Sequence, residues 1–474
     1  MKNENIVQKI WNLCHILRGD GISYHQYVSE LTYLLFLKIS EENGAERLLP
    51  KGSRWKNLVE RPKDGLLSFY QEMLTHLGAC AESATIRAIY AFPTTVFSHD
   101  ENLRAVIDGI AKIDWNDLTD DRFGQIYEGL IEKGSQDVRS GAGQYFTPRA
   151  LVNSIVRVMK PQPGEIIQDP ASGSGGFLIA ADRFVRSENS KSVYSKNPSM
   201  YQGAEIEKNT RRICLMNTLL NGLNAEIIYG DALTDDAKGL LPADLILANP
   251  PFGSKAGSRR ALRNDLPYQN VNKQLAFLQH IFLGLKPGGR AAVVLPDNVL
   301  FGDGIGTVLR RRLMELCDLH TVLRLPTGIF YAQGVKTSVL FFTRGKTDEG
   351  NTQRVWFYDM RTNMPAFGKT SPLEPEHFSE FEELFGDDPL GRAKRSDQSE
   401  GGRWRCFTRK VIDERDCNLN ISWLGDEASS SEGPFTDPAD IVAAITGHLR
   451  IALEELEALS EALDSELEVS QEGG

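Results

Sequence analysis

A chain of 474 residues, 41% hydrophobic and 25% charged, can hold two or three domains with a large core and is neither disordered nor fibrous in composition. Its net charge of −11 excludes wholesale wrapping of nucleic acid, because lysine and arginine carry phosphate binding; a DNA substrate would need local basic loops or a partner subunit. The six cysteines form no Cys-x-x-Cys pair and no Cys/His cluster, so they read as reduced core thiols, with no metal site expected.

The first residues, Lys2 to Asn5, are polar and do not resemble a secretory signal. The longest apolar run, Leu31 to Ile39, is about half a membrane span and contains Lys38. The expectation is a soluble, cytoplasmic protein with no membrane partner. Residues 1–135 read as a helical domain: Val28, Leu31, Leu35 and Ile39 have helical spacing, and Leu103, Ile107 and Ile110 repeat it.

From about Gly141 the pattern changes to short apolar runs that end in Gly, Pro, Asn or Asp and are separated by helical stretches. Strands are predicted at Glu165–Gln168, Tyr201–Glu205, Ala225–Tyr229, Ala243–Ala248, Arg290–Leu295, His320–Leu325, Thr337–Phe342 and Val355–Tyr358. This alternation predicts an α/β domain over 136–425, an open, mostly parallel, Rossmann-like sheet whose ligands sit beyond the carboxyl ends of the strands. Leu285-Lys286-Pro287-Gly288-Gly289-Arg290 reads as a helix end and a turn into the next strand. Residues 426–474 hold a polar, acidic break and then a helix. On that helix Ile441, Ile445, Leu449, Leu453, Leu456, Leu459, Leu463 and Leu467 make one apolar stripe, suited to a coiled-coil-like contact or to packing on its own domain.

Four motifs carry chemistry. In chain order the first is Gly143-Gln144-Tyr145-Phe146-Thr147-Pro148-Arg149, which alone is a capped helix start and functionally a lid over a cofactor. The second, Asp169-Pro170-Ala171-Ser172-Gly173-Ser174-Gly175-Gly176-Phe177, follows the first strand with glycines that let the backbone turn tightly and approach a ligand. It is neither the dinucleotide Gly-x-Gly-x-x-Gly nor a triphosphate loop, which would carry a lysine. A carboxylate there suits a cation, and S-adenosylmethionine offers an ammonium and a sulfonium. The third is a pair of strand-end acids. Glu205 is placed to accept hydrogen bonds from ribose hydroxyls, and Asp231, in Gly230-Asp231-Ala232, to read an adenine amino group.

The fourth motif is Asn249-Pro250-Pro251-Phe252, closing the apolar strand Ala243–Ala248. The N6 lone pair of adenine is delocalised into the ring and is a poor nucleophile. Two acceptors, the Asn249 side-chain oxygen and the Pro250 carbonyl, would bind both N–H groups and favour a pyramidal, reactive nitrogen. Prolines fix the backbone so that the two oxygens converge, and Phe252 offers a face for the base. Just beyond, Lys255, Arg259, Arg260, Arg263 and Lys273 form the best candidate phosphate-contacting loop, with Asp265 the one acid among them.

With these residues assembled, the chain resembles the modification subunit of type I restriction–modification enzymes, over almost its full length. The motifs above carry the resemblance, joined by Gly334-Val335-Lys336-Thr337-Ser338 and by Val355-Trp356-Phe357-Tyr358-Asp359-Met360-Arg361. The order, Phe-Thr-Pro before the cofactor loop before Asn-Pro-Pro-Phe, is similar to the gamma class of adenine-N6 methyltransferases. The resemblance implies that S-adenosylmethionine is held by Gln144 to Arg149, by Ser172 to Gly176, by Glu205 and by Asp231 with Ala232, with Asp169 supporting its methionine end. Asn249 to Phe252 would then hold a flipped adenine of double-stranded DNA. It also implies partners: one specificity subunit for two such chains, and a separate restriction and translocase subunit. A protein glutamine N5-methyltransferase shares the Asn-Pro-Pro-aromatic turn, but on shorter chains with Tyr in place of Phe252 and without the Phe-Thr-Pro entry. A catalytically silent scaffold would require loss of Asn249, Phe252 or the glycines, and all are present.

Overall fold

The computed structural model describes residues 2–18, 24–115, 123–124, 126–130, 147–252, 261–269, 271–330, 336–365, 367 and 371–424. Gln144, Tyr145, Phe146, Lys255, Arg259, Arg260 and the predicted terminal helix lie outside them.

Among the described residues one sheet has nine strands: β1 (Ile166–Asp169), β2 (Met200–Glu205), β3 (Ala225–Tyr229), β4 (Ala243–Ala248), β5 (Leu285–Pro296), β6 (Cys317–Arg324), β7 (Thr337–Arg344), β8 (Arg354–Asp359) and β9 (Trp404–Thr408). Their order is β3-β2-β1-β4-β5-β7-β6-β8-β9. β1 pairs parallel with β4, and β4 with β5. The chain order reverses between β1 and β4, the topological switch point where open α/β sheets bind ligands. Beyond β5 the pairing is mixed. β7 inserts antiparallel between β5 and β6, β6 and β8 are parallel, and β9 closes the edge antiparallel to β8.

Leu245–Ala248, Ala291–Leu295 and Val339–Phe342 are buried throughout, the unbroken apolar runs that a sheet covered on both faces requires. β5 begins five residues before its predicted start. Ala243 pairs with Leu285 while Leu245 pairs with Arg290, so Lys286–Gly289 bulges out, with Gly288 at φ +85°. Asp244 holds this end together: its Oδ2 accepts from the Ile166 amide at 2.8 Å and from Lys286 Nζ at 2.7 Å. Arg290 then fixes the helix Arg149–Met159 to the sheet, donating to the Met159 carbonyl (2.8 Å) and to Glu165 (2.6 Å).

The chain divides into two compact units. One comprises residues 1–143, 172–182 and 203–229, the other 144–171, 183–202 and 230–474. The first unit is largely helical, with helices Lys2–Arg18, Tyr24–Glu42, Trp55–Glu60, Leu66–Cys80, Ala84–Ile89 and Asp100–Ala111. Leu31 and Leu35 on Tyr24–Glu42, and Leu103, Ile107 and Ile110 on Asp100–Ala111, two runs read from their helical spacing, are buried. Glu30 is buried too, accepting from Tyr70 Oη at 2.7 Å and from the Val96 amide at 3.0 Å; burial nonetheless pushes its pKa up. Within the same unit Arg212, on the helix Lys208–Leu220, lies 4.2 Å over the Tyr33 ring and donates to Ser29 Oγ at 2.6 Å.

Cys214, Cys317 and Cys417 are buried free thiols, as expected of core cysteines, and burial raises Cys317 to about 12. Cys80 is exposed, a departure from that reading. No helix among the described residues is long and apolar enough to cross a membrane.

Candidate active site

In the first unit the glycine turn and the β2 acid are built together. Gly173 and Gly175 take φ +53° and +84°, conformations that side-chain-bearing residues rarely adopt. A Cβ on Gly175 would also stand 3.1 Å from Cys214 Sγ, so the turn needs glycine for packing as well as for any ligand. Gly173 N donates to Glu205 Oε2 at 3.0 Å, and Glu207 N to Glu205 Oε1 at 2.9 Å. Burial raises the Glu205 pKa, and these two amide bonds oppose the rise by stabilising the carboxylate. Each carboxylate oxygen has a second lone pair, so the group still has capacity for a diol.

Ser174 is tied into its own unit by two hydrogen bonds. Its Oγ donates to Glu128 Oε1 at 2.6 Å, and its carbonyl accepts from Asn217 Nδ2 at 2.9 Å. Glu128 lies in a helical stretch without a motif, and sequence reasoning passed over it.

The second unit holds the switch-point residues. Asp169, at the end of β1, is buried and accepts from the Ala171 amide at 3.1 Å across Pro170, which has no N–H to offer. Asp231 is buried in a tight turn, its Oδ1 accepting from Leu233 N at 3.0 Å. Arg263 clamps that turn: it donates to the Ala232 carbonyl at 3.3 Å and pairs with Asp265 at 2.9 Å. Only 10% of its side chain is exposed, so Arg263 has a structural role in this turn. Lys273 begins the helix Lys273–Gly284, behind an Asn272 N-cap.

At the end of β4, Pro250 is buried, Asn249 and Phe252 are half-buried and Pro251 is exposed. The Asn249 Nδ2 donates to Thr147 Oγ1 at 2.8 Å. The Asn249 Oδ1 is buried and accepts no hydrogen bond among the described residues. A buried, unfilled acceptor costs free energy unless something arrives to use it, and a substrate amino group is such a donor. Phe252 meets Phe330 edge-to-face, with centroids 5.7 Å apart and planes at 81°. The structure corrects the role of Thr147. The helix Arg149–Met159 begins at Pro148 without a side-chain cap, and the Thr147 hydroxyl bonds Asn249 instead.

The donor types suit S-adenosylmethionine in each unit by itself: in the first a glycine turn for close backbone approach and a carboxylate with capacity for a diol, in the second strand-end carboxylates and an amide oxygen without a donor among the described residues. The model of the N-6 DNA Methylase family matches residues 118–432, and that of the HsdM N-terminal domain matches residues 6–110. The EcoKI methylase subunit of a type I restriction enzyme, from Escherichia coli K12, is 42% identical over 98% of this chain and 96% of its own length. The crystal structure of the EcoKI M protein superposes with a TM-score of 0.56 at 39% identity, over 98% of this chain and 96% of that one. A structure from work on complex assembly and conformational transition of the type I R-M system superposes at 0.68, with 27% identity over 98% of this chain and 99% of that one. With an acceptor held at the end of β4 and matches that span nearly its whole length, the chain belongs to the N-6 DNA methylase family, as a type I restriction enzyme methylase subunit.

Proposed function

We propose that this chain methylates N6 of a flipped-out adenine in double-stranded DNA, with Asn249 as the central acceptor. The observation that carries the reading is the buried Asn249 Oδ1, which has no donor among the described residues. S-adenosylmethionine would supply an electrophilic methyl group on a sulfonium: as N6 takes the methyl, the S–C bond breaks and leaves a neutral thioether, and the methylated nitrogen, then cationic and acidic, loses one proton to solvent, so no charged general base is needed. Asn249 Oδ1 and the Pro250 carbonyl accept the two N6–H bonds, localise the lone pair on nitrogen and aim it at the methyl carbon. Phe252 stacks on the extruded base, worth ~1–3 kcal/mol. Glu205 accepts from the ribose, Asp169 supports the methionine end, Asp231 with Ala232 lines the adenine, and Gln144 to Phe146, Pro148 and Arg149 with Ser172 to Gly176 complete the cofactor site, while the Thr147 hydroxyl is turned to Asn249.

We further propose a division of labour along the chain: residues 1–135 for assembly, 136–425 for catalysis, 426–474 for docking. A chain of net charge −11 needs help to hold DNA. Lys255, Arg259, Arg260, Arg263 and Lys273 would supply phosphate contacts beside the catalytic turn. A specificity subunit would read the sequence, with two copies of this chain per specificity subunit, and a restriction subunit would join them in the cytoplasm. Co-expression with the products of neighbouring genes, affinity capture and methylome sequencing test this. Capture of a specificity subunit together with new N6-methyladenine at one motif supports the proposal; no methylated motif refutes it.

A further inference from the structure

Asn249 can do its work only with the right end of its amide facing the substrate. The torsion that turns a carboxamide is soft and nearly two-fold, so oxygen and nitrogen exchange places with little resistance unless a neighbour distinguishes them. With Nδ2 toward the target, donor would meet donor and the lone pair of N6 would gain nothing. In the structure Nδ2 is turned onto Thr147 Oγ1, which leaves Oδ1 buried and open. Thr147 is itself well anchored: it immediately precedes Pro148, whose carbonyl accepts from Val152 N at 3.0 Å in the first turn of Arg149–Met159. Its hydroxyl is not used as the helix cap that its position suggests.

A hydroxyl can donate or accept, so Thr147 alone tolerates either amide orientation. The choice is made when a substrate amino group donates to Oδ1, because only then are the amide's donor and acceptor ends both satisfied. We propose that Thr147 is a positioning residue for methyl transfer: its hydroxyl receives the Asn249 amide N–H and satisfies that end of the amide, so that Oδ1 is the end left for the target amino group. The inference rests on the reading of Asn249 as the N6 acceptor. It ties Thr147, just ahead of the helix Arg149–Met159, to the catalytic turn, so that this side chain serves the chemistry rather than the cofactor.

The test uses the full chain in complex with its specificity subunit and compares Thr147→Val, Thr147→Ser and Asn249→Ala. Single-turnover methylation at saturating S-adenosylmethionine reads the chemical step, and calorimetry reads cofactor affinity. Val keeps the volume and removes the hydroxyl; the expected loss in rate is about ten- to a hundredfold, the scale of one lost hydrogen bond at a reacting centre. Cofactor affinity is expected to be unchanged, and Thr147→Ser, which keeps the hydroxyl, to be close to wild type. If Thr147→Val fails to fold, Thr147→Ala takes its place, removing the hydroxyl without adding bulk. A variant that loses cofactor affinity but keeps the saturated rate makes Thr147 a cofactor contact and overturns the inference, as does one unchanged in both. An inactive Asn249→Ala beside a fully active Thr147→Val refutes only the inference. An active Asn249→Ala refutes the reading of Asn249 as well.

Discussion

Replacing Glu205 with Gln keeps the shape of the side chain and changes one acceptor oxygen into a donor. In the folded protein Oε2 receives Gly173 N at 3.0 Å and Oε1 receives Glu207 N at 2.9 Å. A carboxamide can satisfy only one of these amides, so one N–H is left facing an NH2 group. An unsatisfied donor of this kind costs ~1–3 kcal/mol. In a chain with cores this large that corresponds to a fall in Tm of about 2–4 °C per kcal/mol. The second effect falls on the cofactor. Hydrogen bonds from a diol to a carboxylate contribute ~1.5–3 kcal/mol, so S-adenosylmethionine affinity should drop roughly ten- to a hundredfold. Differential scanning calorimetry of the free chain and isothermal titration with S-adenosylmethionine separate the two effects. Cofactor affinity within twofold of wild type would refute the ribose assignment, and an unchanged Tm would refute the account of the two amides.

Three further outcomes are expected. Phe252→Ala removes a stacking face worth ~1–3 kcal/mol, so the complex with DNA carrying 2-aminopurine at the target should give a fluorescence change distinct from wild type; identical signals would exclude Phe252 as the stacking partner. His280 is buried with its pKa down at about 3, so it stabilises the fold fully above 6.5 and less as pH falls toward 3. His280→Gln should flatten acid unfolding in that window by one proton, about 1.4 kcal/mol per pH unit; denaturant melts at pH 7.5 and 5 check it, and parallel pH profiles would contradict it. Ending the chain near Pro438 should leave S-adenosylmethionine binding intact and abolish assembly with the specificity subunit on size-exclusion chromatography; retained assembly would mean that the terminal stripe packs internally.

The parallel part of the sheet was legible because its strands are short apolar runs with acids, glycines or prolines at their ends. β3 and β4 fall on their predicted residues. β7 was legible as a strand but not as an antiparallel one, since a run buried on both faces has the same pattern in either direction. β9 escaped because Trp404–Thr408 follows a long polar stretch and pairs only at the edge of the sheet. In the site, Glu205, Asp231 and Asn249 could be read from their strand ends. What could not be read is where their neighbours spend their hydrogen bonds. Thr147 has the sequence context of a helix cap and instead holds an amide 102 positions away. Arg263 was read for its charge alone, and its pairing with Asp265 two residues on was not read. Ser174 is held by Glu128, whose local sequence gives no sign of it.

The central claim is that Asn249 Oδ1 activates the target amino group, and Asn249→Ala tests it most directly. With the full complex, saturating S-adenosylmethionine and a duplex carrying the recognised sequence, single-turnover transfer of labelled methyl groups should fall on the order of 10²–10³-fold, while cofactor affinity by calorimetry stays within about twofold. Near-normal transfer by that variant would contradict the account.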